Sequence, residues 1–167
     1  AGSKCSWVEN VLPFGSSSRP WGERLIVIQI ELMRTIKRPD PFSTPLTDDL
    51  TVIGVPAFDD NYLWILHDHL GAAIVIDPGA ERPLRDALDS RHLSLRAILL
   101  THHHSDHVGG CAALSSHYQC PVYGPSDERM PQVDHALQHN DILQLESPMC
   151  RFHIAHLPGH TLTHIAY

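Results

Sequence analysis

The sequence predicts an α/β fold in which helices are layered on a mixed β-sheet. Three observations carry this. Ala72-Ala73-Ile74-Val75-Ile76 is apolar throughout, the pattern of a strand buried on both faces. Residues 81–90 then place Leu84, Ala87 and Leu88 at helical spacing on one face. A second apolar strand, residues 97–100, follows that helix and runs directly into a dense histidine cluster.

The other elements fall around this centre. Residues 50–55 form a β-branched run ending at Pro56, Asp59-Asp60-Asn61 is a turn cluster, and residues 62–66 form a second strand. Asp68 to Gly71 turns the chain back into the strand at 72–76, which Asp77-Pro78-Gly79 ends. Gly109-Gly110 opens a short helix reaching about Tyr118. Strands are expected at 121–123, 142–145 and 151–155, and another begins near Tyr167. Ile74, Ile76, Ile98 and Leu100 are the expected core.

The 167 residues suffice for one domain with a core. Charge divides the chain unevenly: residues 1–47 carry a net of +2 and residues 48–167 a net of −9. Phosphate contacts need clustered Lys and Arg, so the acidic part argues against nucleic acid as a partner. No apolar run reaches the ~20 residues that span a bilayer, so no membrane partner is expected either. Residues 1–47 read as an extension of separate origin, rich in loop chemistry and poorly ordered. The apolar run at 25–33 is broken by Gln29 and Glu31, and no small-residue cleavage site follows it. The first residue is Ala rather than Met, which suggests a fragment. Cys5, Cys111, Cys120 and Cys150 form no C-x-x-C pair. Cys111, Cys120 and Cys150 are expected to be buried, reduced and inert, which points to a cytoplasmic protein, with a mitochondrial one as the alternative.

All fourteen histidines lie at or beyond His67. His102, His104, Asp106 and His107 fall within six residues, right after a strand. Neutral imidazole and carboxylate are good ligands for zinc and similar ions. The group has more ligands than one open tetrahedral ion needs, and about half of what two ions need. In extended chain His102 and His104 point the same way, which leaves Asp106 and His107 to face a second ion and His103 to point away. Gly109-Gly110 argues for a loop here rather than a continuous helix. Fifty-eight residues after His102, the turn-forming Pro158-Gly159 presents His160 at the end of a strand, as a third ligand beside His102 and His104. His164 is expected to orient ligands from behind.

Thr101-His102-His103-His104-Ser105-Asp106-His107 matches the H-x-H-x-D-H signature of the metallo-β-lactamase superfamily. Within it, Ile53-Gly54-Val55-Pro56-Ala57-Phe58-Asp59-Asp60-Asn61-Tyr62-Leu63-Trp64 resembles the start of glyoxalase II enzymes, the hydroxyacylglutathione hydrolases. Ile74-Val75-Ile76-Asp77-Pro78-Gly79, Val122-Tyr123-Gly124-Pro125 and Pro158-Gly159-His160-Thr161 fit the same family in order and spacing. The resemblance covers residues 48–167 as a partial hydrolase domain. It departs from the pattern in two places near His160: at His156, where threonine is usual, and at Thr163, where glycine is usual, a change that could crowd the turn.

This resemblance implies an αβ/βα sandwich, present here as its first half and the start of its second. One sheet face is then expected to lack its partner layer. It implies two divalent metal ions, zinc first, with iron or manganese also accepted by such ligands. His102, His104 and His160 would bind one ion, Asp106 and His107 the other, and Asp77 would support the ligand loop. The implied reaction is hydrolysis of S-2-hydroxyacylglutathione, such as S-D-lactoylglutathione, by hydroxide held between the ions. Asp106 is placed to take the proton. A monomer acting on this small-molecule thioester is expected. The family's bridging aspartate, last metal histidine and glutathione-binding region are expected beyond Tyr167, so the chain alone is expected to be inactive. The rival readings are another hydrolase of the superfamily, acting on lactams, lactones or phosphodiesters, and a metal-binding fragment without activity.

Overall fold

The computed structural model describes residues 42–59 and 61–167; the expectations for residues 1–41 lie outside the described residues. Three strands form an antiparallel meander: β2 (Leu50–Ala57), β3 (Asn61–Asp68) and β4 (Ala72–Ile76). The β3–β4 turn is closed by Asp68 Oδ1, which accepts from the amides of Leu70 and Ala72 at 2.9 Å each. Gly71 occupies the left-handed region there, at φ 85°.

From β4 onward the sheet is parallel. Helix α1 (Glu81–Ser90) leads to β5 (Ser94–Leu99). Two helices, α2 (Ser105–Val108) and α3 (Cys111–Tyr118), lead to β6 (Val122–Pro125), and β7 (His135–Leu137) follows. With β1 (Phe42–Pro45) on the far edge, the seven strands lie in sequence order. The fold class is the expected one, an α/β sandwich on a mixed sheet.

Strand β1 lies within the stretch assigned from sequence to an extension, yet it pairs with β2 from Phe42–Gly54 to Pro45–Thr51. The Phe42 ring fills the space above Gly54 that a side chain there would need. It meets Tyr62 and Trp64 edge-on, with centroids 5.5 and 5.9 Å away.

Side-chain alternation along β4 and β5 divides the core between the two sheet faces. Ala73, Val75, Ile98 and Leu100 pack with Leu84, Ala87 and Leu88 of α1 and with Cys111 and Leu114 of α3. Ile74, Ile76, Ala97 and Leu99 face the other way. That second face, expected to lack a partner layer, is covered. The hairpin of β8 (Ile142–Glu146) and β9 (Met149–His153) lays Leu143 and Phe152 on it. Ile154, Ile165 and Tyr167 complete the layer, and Trp64, Leu66 and Ile74 are buried beneath it. Each such aliphatic burial is worth roughly 1.5–3 kcal/mol. The four residues expected to hold the core are all fully or nearly fully buried.

Cys111 and Cys120 are buried as expected, whereas Cys150 is only half-buried. Burial pushes their thiols up, to about 12, 11 and 12 for Cys111, Cys120 and Cys150, which leaves them protonated at neutral pH. Among the described residues, no helix is long and apolar enough to cross a membrane.

Candidate metal centre

The parallel pairing of β4 and β5 brings their carboxyl ends side by side, the usual location for sites in open α/β sheets. Asp77 follows β4 and Thr101 follows β5. The Asp77 amide donates to the Leu99 carbonyl at 2.9 Å. Its backbone is left-handed at φ 50°, a conformation that costs a non-glycine residue about 1 kcal/mol and is held by its surroundings. The carboxylate is buried and surrounded by donors. Oδ1 accepts from the Thr101 amide at 2.7 Å, and Oδ2 from the Thr101 hydroxyl at 2.7 Å. His107 Nδ1 lies 3.0 Å from Oδ2.

The Thr101 hydroxyl fixes the next residue. Its single proton is committed to Asp77, so toward His102 Nδ1, 2.8 Å away, it acts as acceptor. His102 Nδ1 therefore carries the ring proton and Nε2 a lone pair. That Nε2 is buried and has no hydrogen-bond partner. Burial first, then the neighbouring rings of His107, His164, His104 and His160, lowers the His102 pKa to about 2, so the ring is neutral. His104 shifts in the same direction, from desolvation and then His160.

Extended backbone carries the chain through His104 and into the single turn α2. Gly109-Gly110 predicts a loop here; the amides of His107 and Val108 instead bond the His104 carbonyl at 2.9 and 3.1 Å. The turn presents Asp106 and His107 one after the other. By donating Nδ1–H to Asp77, a neutral His107 keeps its lone pair on Nε2, which lies 3.4 Å from Asp106 Oδ2. Asp106 Oδ2 also accepts from Asn61 Nδ2 at 2.9 Å.

Two glycines let the loops after β4 and β5 touch. Gly110 donates its amide to the Pro78 carbonyl at 2.7 Å. Gly79 packs its Cα against the Asp106 carbonyl.

His160 arrives from the far side. Strands β10 (Ala155–His156) and β11 (Ile165–Ala166) pair to close the loop 157–164, and the Ile165 amide bonds the Thr101 carbonyl at 3.1 Å. The His160 ring centroid lies 4.8 Å from that of His102 and 4.6 Å from that of His104. One ligand atom from each of His102, His104 and His160 falls within 4.8 Å of the others, and the same holds for Asp77, His102 and His107. Asp106 is in neither group but adjoins the second through His107. His164 stacks on His102, 4.8 Å away at 15°. His103 belongs to neither group; its ring meets that of His104 edge-on with centroids 4.9 Å apart, lies 6.5 Å from that of His102, and has its Nδ1 3.6 Å from Asp127 Oδ2.

The donor chemistry fits a divalent cation. A buried, unpartnered nitrogen lone pair is costly unless something positive meets it, and His102 lies with two other imidazoles in one ligand-atom cluster. Nitrogen and carboxylate donors suit zinc, iron and manganese alike. Sequence reading missed Thr101 and Asn61, which touch the cluster through their side chains, and the contact role of Gly79. Thr101 adjoins the histidines in the sequence, but its pairing with Asp77 arises only from strand adjacency.

Residues 58–167 match the model of the metallo-beta-lactamase superfamily. A hydroxyacylglutathione hydrolase of Photobacterium profundum is 42% identical over 119 residues, which is 71% of this chain and 46% of that protein. The chain thus spans about half the length of the curated relatives it matches. The BLEG-1 B3 metallo-beta-lactamase superposes with a TM-score of 0.63 at 25% identity, over 70% of this chain and 66% of that one. A di-iron-bound form of TTHA1623 superposes with a TM-score of 0.53 at 26% identity, over 68% and 64%. By motif, fold and sequence match, this chain belongs to the metallo-β-lactamase superfamily.

Proposed function

We propose that the protein to which this chain belongs hydrolyses the thioester of S-2-hydroxyacylglutathione, releasing glutathione and a 2-hydroxy acid. Two observations together carry the metal-dependent part: His102 Nε2 is buried and unpartnered, and one ring nitrogen from each of His102, His104 and His160 lies within 4.8 Å of the others. The thioester substrate rests on the similarity to hydroxyacylglutathione hydrolases, and a monomeric cytoplasmic enzyme belongs to the same reading.

His102, His104 and His160 would hold one divalent ion, and Asp106 with His107 a second. When bound, such ions supply positive charge that acidifies water and polarises a carbonyl oxygen. The chain's residues do the rest. Asp77 fixes Thr101 and His107, and Thr101 fixes the His102 tautomer. His164 stacks on the His102 ring. Asp106, steadied by Asn61, accepts the proton of the attacking water. Water adds to the thioester carbonyl carbon, the C–S bond breaks, and the thiolate leaves. A thiol pKa of about 8.5 makes that departure easy without a strong general acid, consistent with a cluster made of metal-type donors.

The test is turnover of S-D-lactoylglutathione by the zinc- or iron-loaded whole protein, read as loss of thioester absorbance and release of free thiol. Activity on a phosphodiester or lactam with none on the thioester would overturn the substrate assignment.

A further inference from the structure

The segment between β6 and β7 contains a buried acid that the proposed chemistry does not use. The Asp127 side chain is 3% exposed. Arg129 grips it with Nε 2.9 Å from Oδ1 and Nη2 2.7 Å from Oδ2, and the Arg129 amide adds a bond to Oδ1 at 3.0 Å. From the other side, the Thr163 hydroxyl donates to Oδ2 at 2.5 Å. His103 Nδ1, buried and without a hydrogen-bond partner, lies 3.6 Å from the same oxygen.

One carboxylate therefore bonds the loop that carries His160 and His164 and lies next to, without bonding, His103 in the loop that carries His102 and His104. His103 sits between His102 and His104. Thr163 sits between His160 and His164, just before the Ile165 amide that bonds the Thr101 carbonyl. Thr163 is also the position at which the sequence departs from the glycine usual in the glyoxalase II pattern. Glycine there could not make this bond. The hydroxyl points at Asp127, so the departure supplies a contact.

We propose that Asp127 and Thr163 form a tie that positions His160 and His164 against His102 and His104. Asp127 is thus a positioning residue for the centre, and this rests on the metal-binding reading above. A tie of this kind acts as ligand-supporting hydrogen bonds do elsewhere, by narrowing the orientations a ring can adopt before the ion arrives.

The experiment uses the full chain, with Co2+ as the probe. Thr163→Val keeps the shape and removes the hydroxyl, Thr163→Ser restores the hydroxyl, and Asp127→Asn removes the charged acceptor. Strands β10 and β11 hold the loop closed by backbone bonds independent of Thr163, so the position 163 variants keep the fold. Thr163→Val and Asp127→Asn are expected to bind Co2+ about tenfold or more weakly and to change its visible ligand-field spectrum, with Thr163→Ser within about twofold of the parent. Wild-type affinity in both Thr163→Val and Asp127→Asn overturns the tie, as does equal loss in Thr163→Ser. If the parent chain binds no Co2+, the metal reading fails, and amide exchange of the metal-free protein decides the tie. Faster exchange across residues 157–165 in Thr163→Val but not in Thr163→Ser upholds it, and unchanged exchange overturns it.

Discussion

Gly79 and Asp106 are in direct backbone contact: a Cβ built on Gly79 would overlap the Asp106 carbonyl carbon and oxygen. The loop ending β4 and the turn carrying Asp106 and His107 are therefore spaced by the absence of one methyl group. Gly79→Ala forces these backbones apart, because neither neighbour is a flexible side-chain tip. Overpacking of this kind costs about 1–3 kcal/mol. We expect a lower urea midpoint together with weaker zinc binding. A variant that binds zinc as the parent does would show that the contact does not set the position of the turn.

Asp77→Asn tests the adjoining carboxylate. Its oxygens accept from the Thr101 amide, the Thr101 hydroxyl and His107. An amide nitrogen in place of Oδ1 loses the bond from the Thr101 amide, and in place of Oδ2 it forces the Thr101 hydroxyl and His107 to reverse their hydrogen-bonding roles. The expected loss of stability is about 1–3 kcal/mol. Because Thr101 in turn sets the His102 tautomer, metal affinity should fall about 10–100-fold. Thermal denaturation without metal and calorimetric zinc titration measure the two separately.

How far the sequence discloses this arrangement depends on how local each cause is. The strand Ala72–Ile76 and the helix Glu81–Ser90 stand where periodicity placed them, since their patterns are long or uniform enough to read. The edge strands β1 and β7 have four and three residues and owe their existence to partners distant in sequence, so no window contains their cause. The turn α2 has four residues, about one helical period, too few for a repeating pattern to show. At the centre, the clustering of His102, His104 and His107 is visible in the chain, and Pro158-Gly159 marks the turn before His160. The pairings Thr101–Asp77, Asn61–Asp106 and Thr163–Asp127 join residues 24, 45 and 36 positions apart, and only the folded sheet brings them together.

The folded state should weaken in acid when metal is absent. The His102 pKa is lowered from 6.5 to about 2, chiefly by burial, so the folded chain holds this ring neutral while the unfolded chain protonates it below 6.5. The unfolded state then binds more protons, and stability, fully present above 6.5, is lost as pH falls from there toward 2. Urea unfolding in the presence of a chelator at about pH 7.5 and about pH 5 should show a lower midpoint at the acid value. His102→Asn, which has no such proton to gain, should flatten the difference. An equal difference in parent and variant would assign the acid sensitivity to other groups.

Asn61 gives the last test, because its amide reaches Asp106 from β3, across the mouth of the cluster. Nδ2 donates to Asp106 Oδ2 at 2.9 Å, an oxygen that His107 Nε2 also approaches, at 3.4 Å. If Asp106 receives the proton of the attacking water, losing this donor leaves the carboxylate free to turn away while the remaining site stays intact. In the whole protein, Asn61→Ala should then lower kcat for the thioester about tenfold, the equivalent of one hydrogen bond to a charged group, with KM nearly unchanged. Asn61→Asp keeps the shape but sets two carboxylates at hydrogen-bond distance, where like charges repel. It should be slower than Asn61→Ala despite being the smaller change in volume. If kcat held in both variants, the proton would be leaving by a route that does not use Asp106.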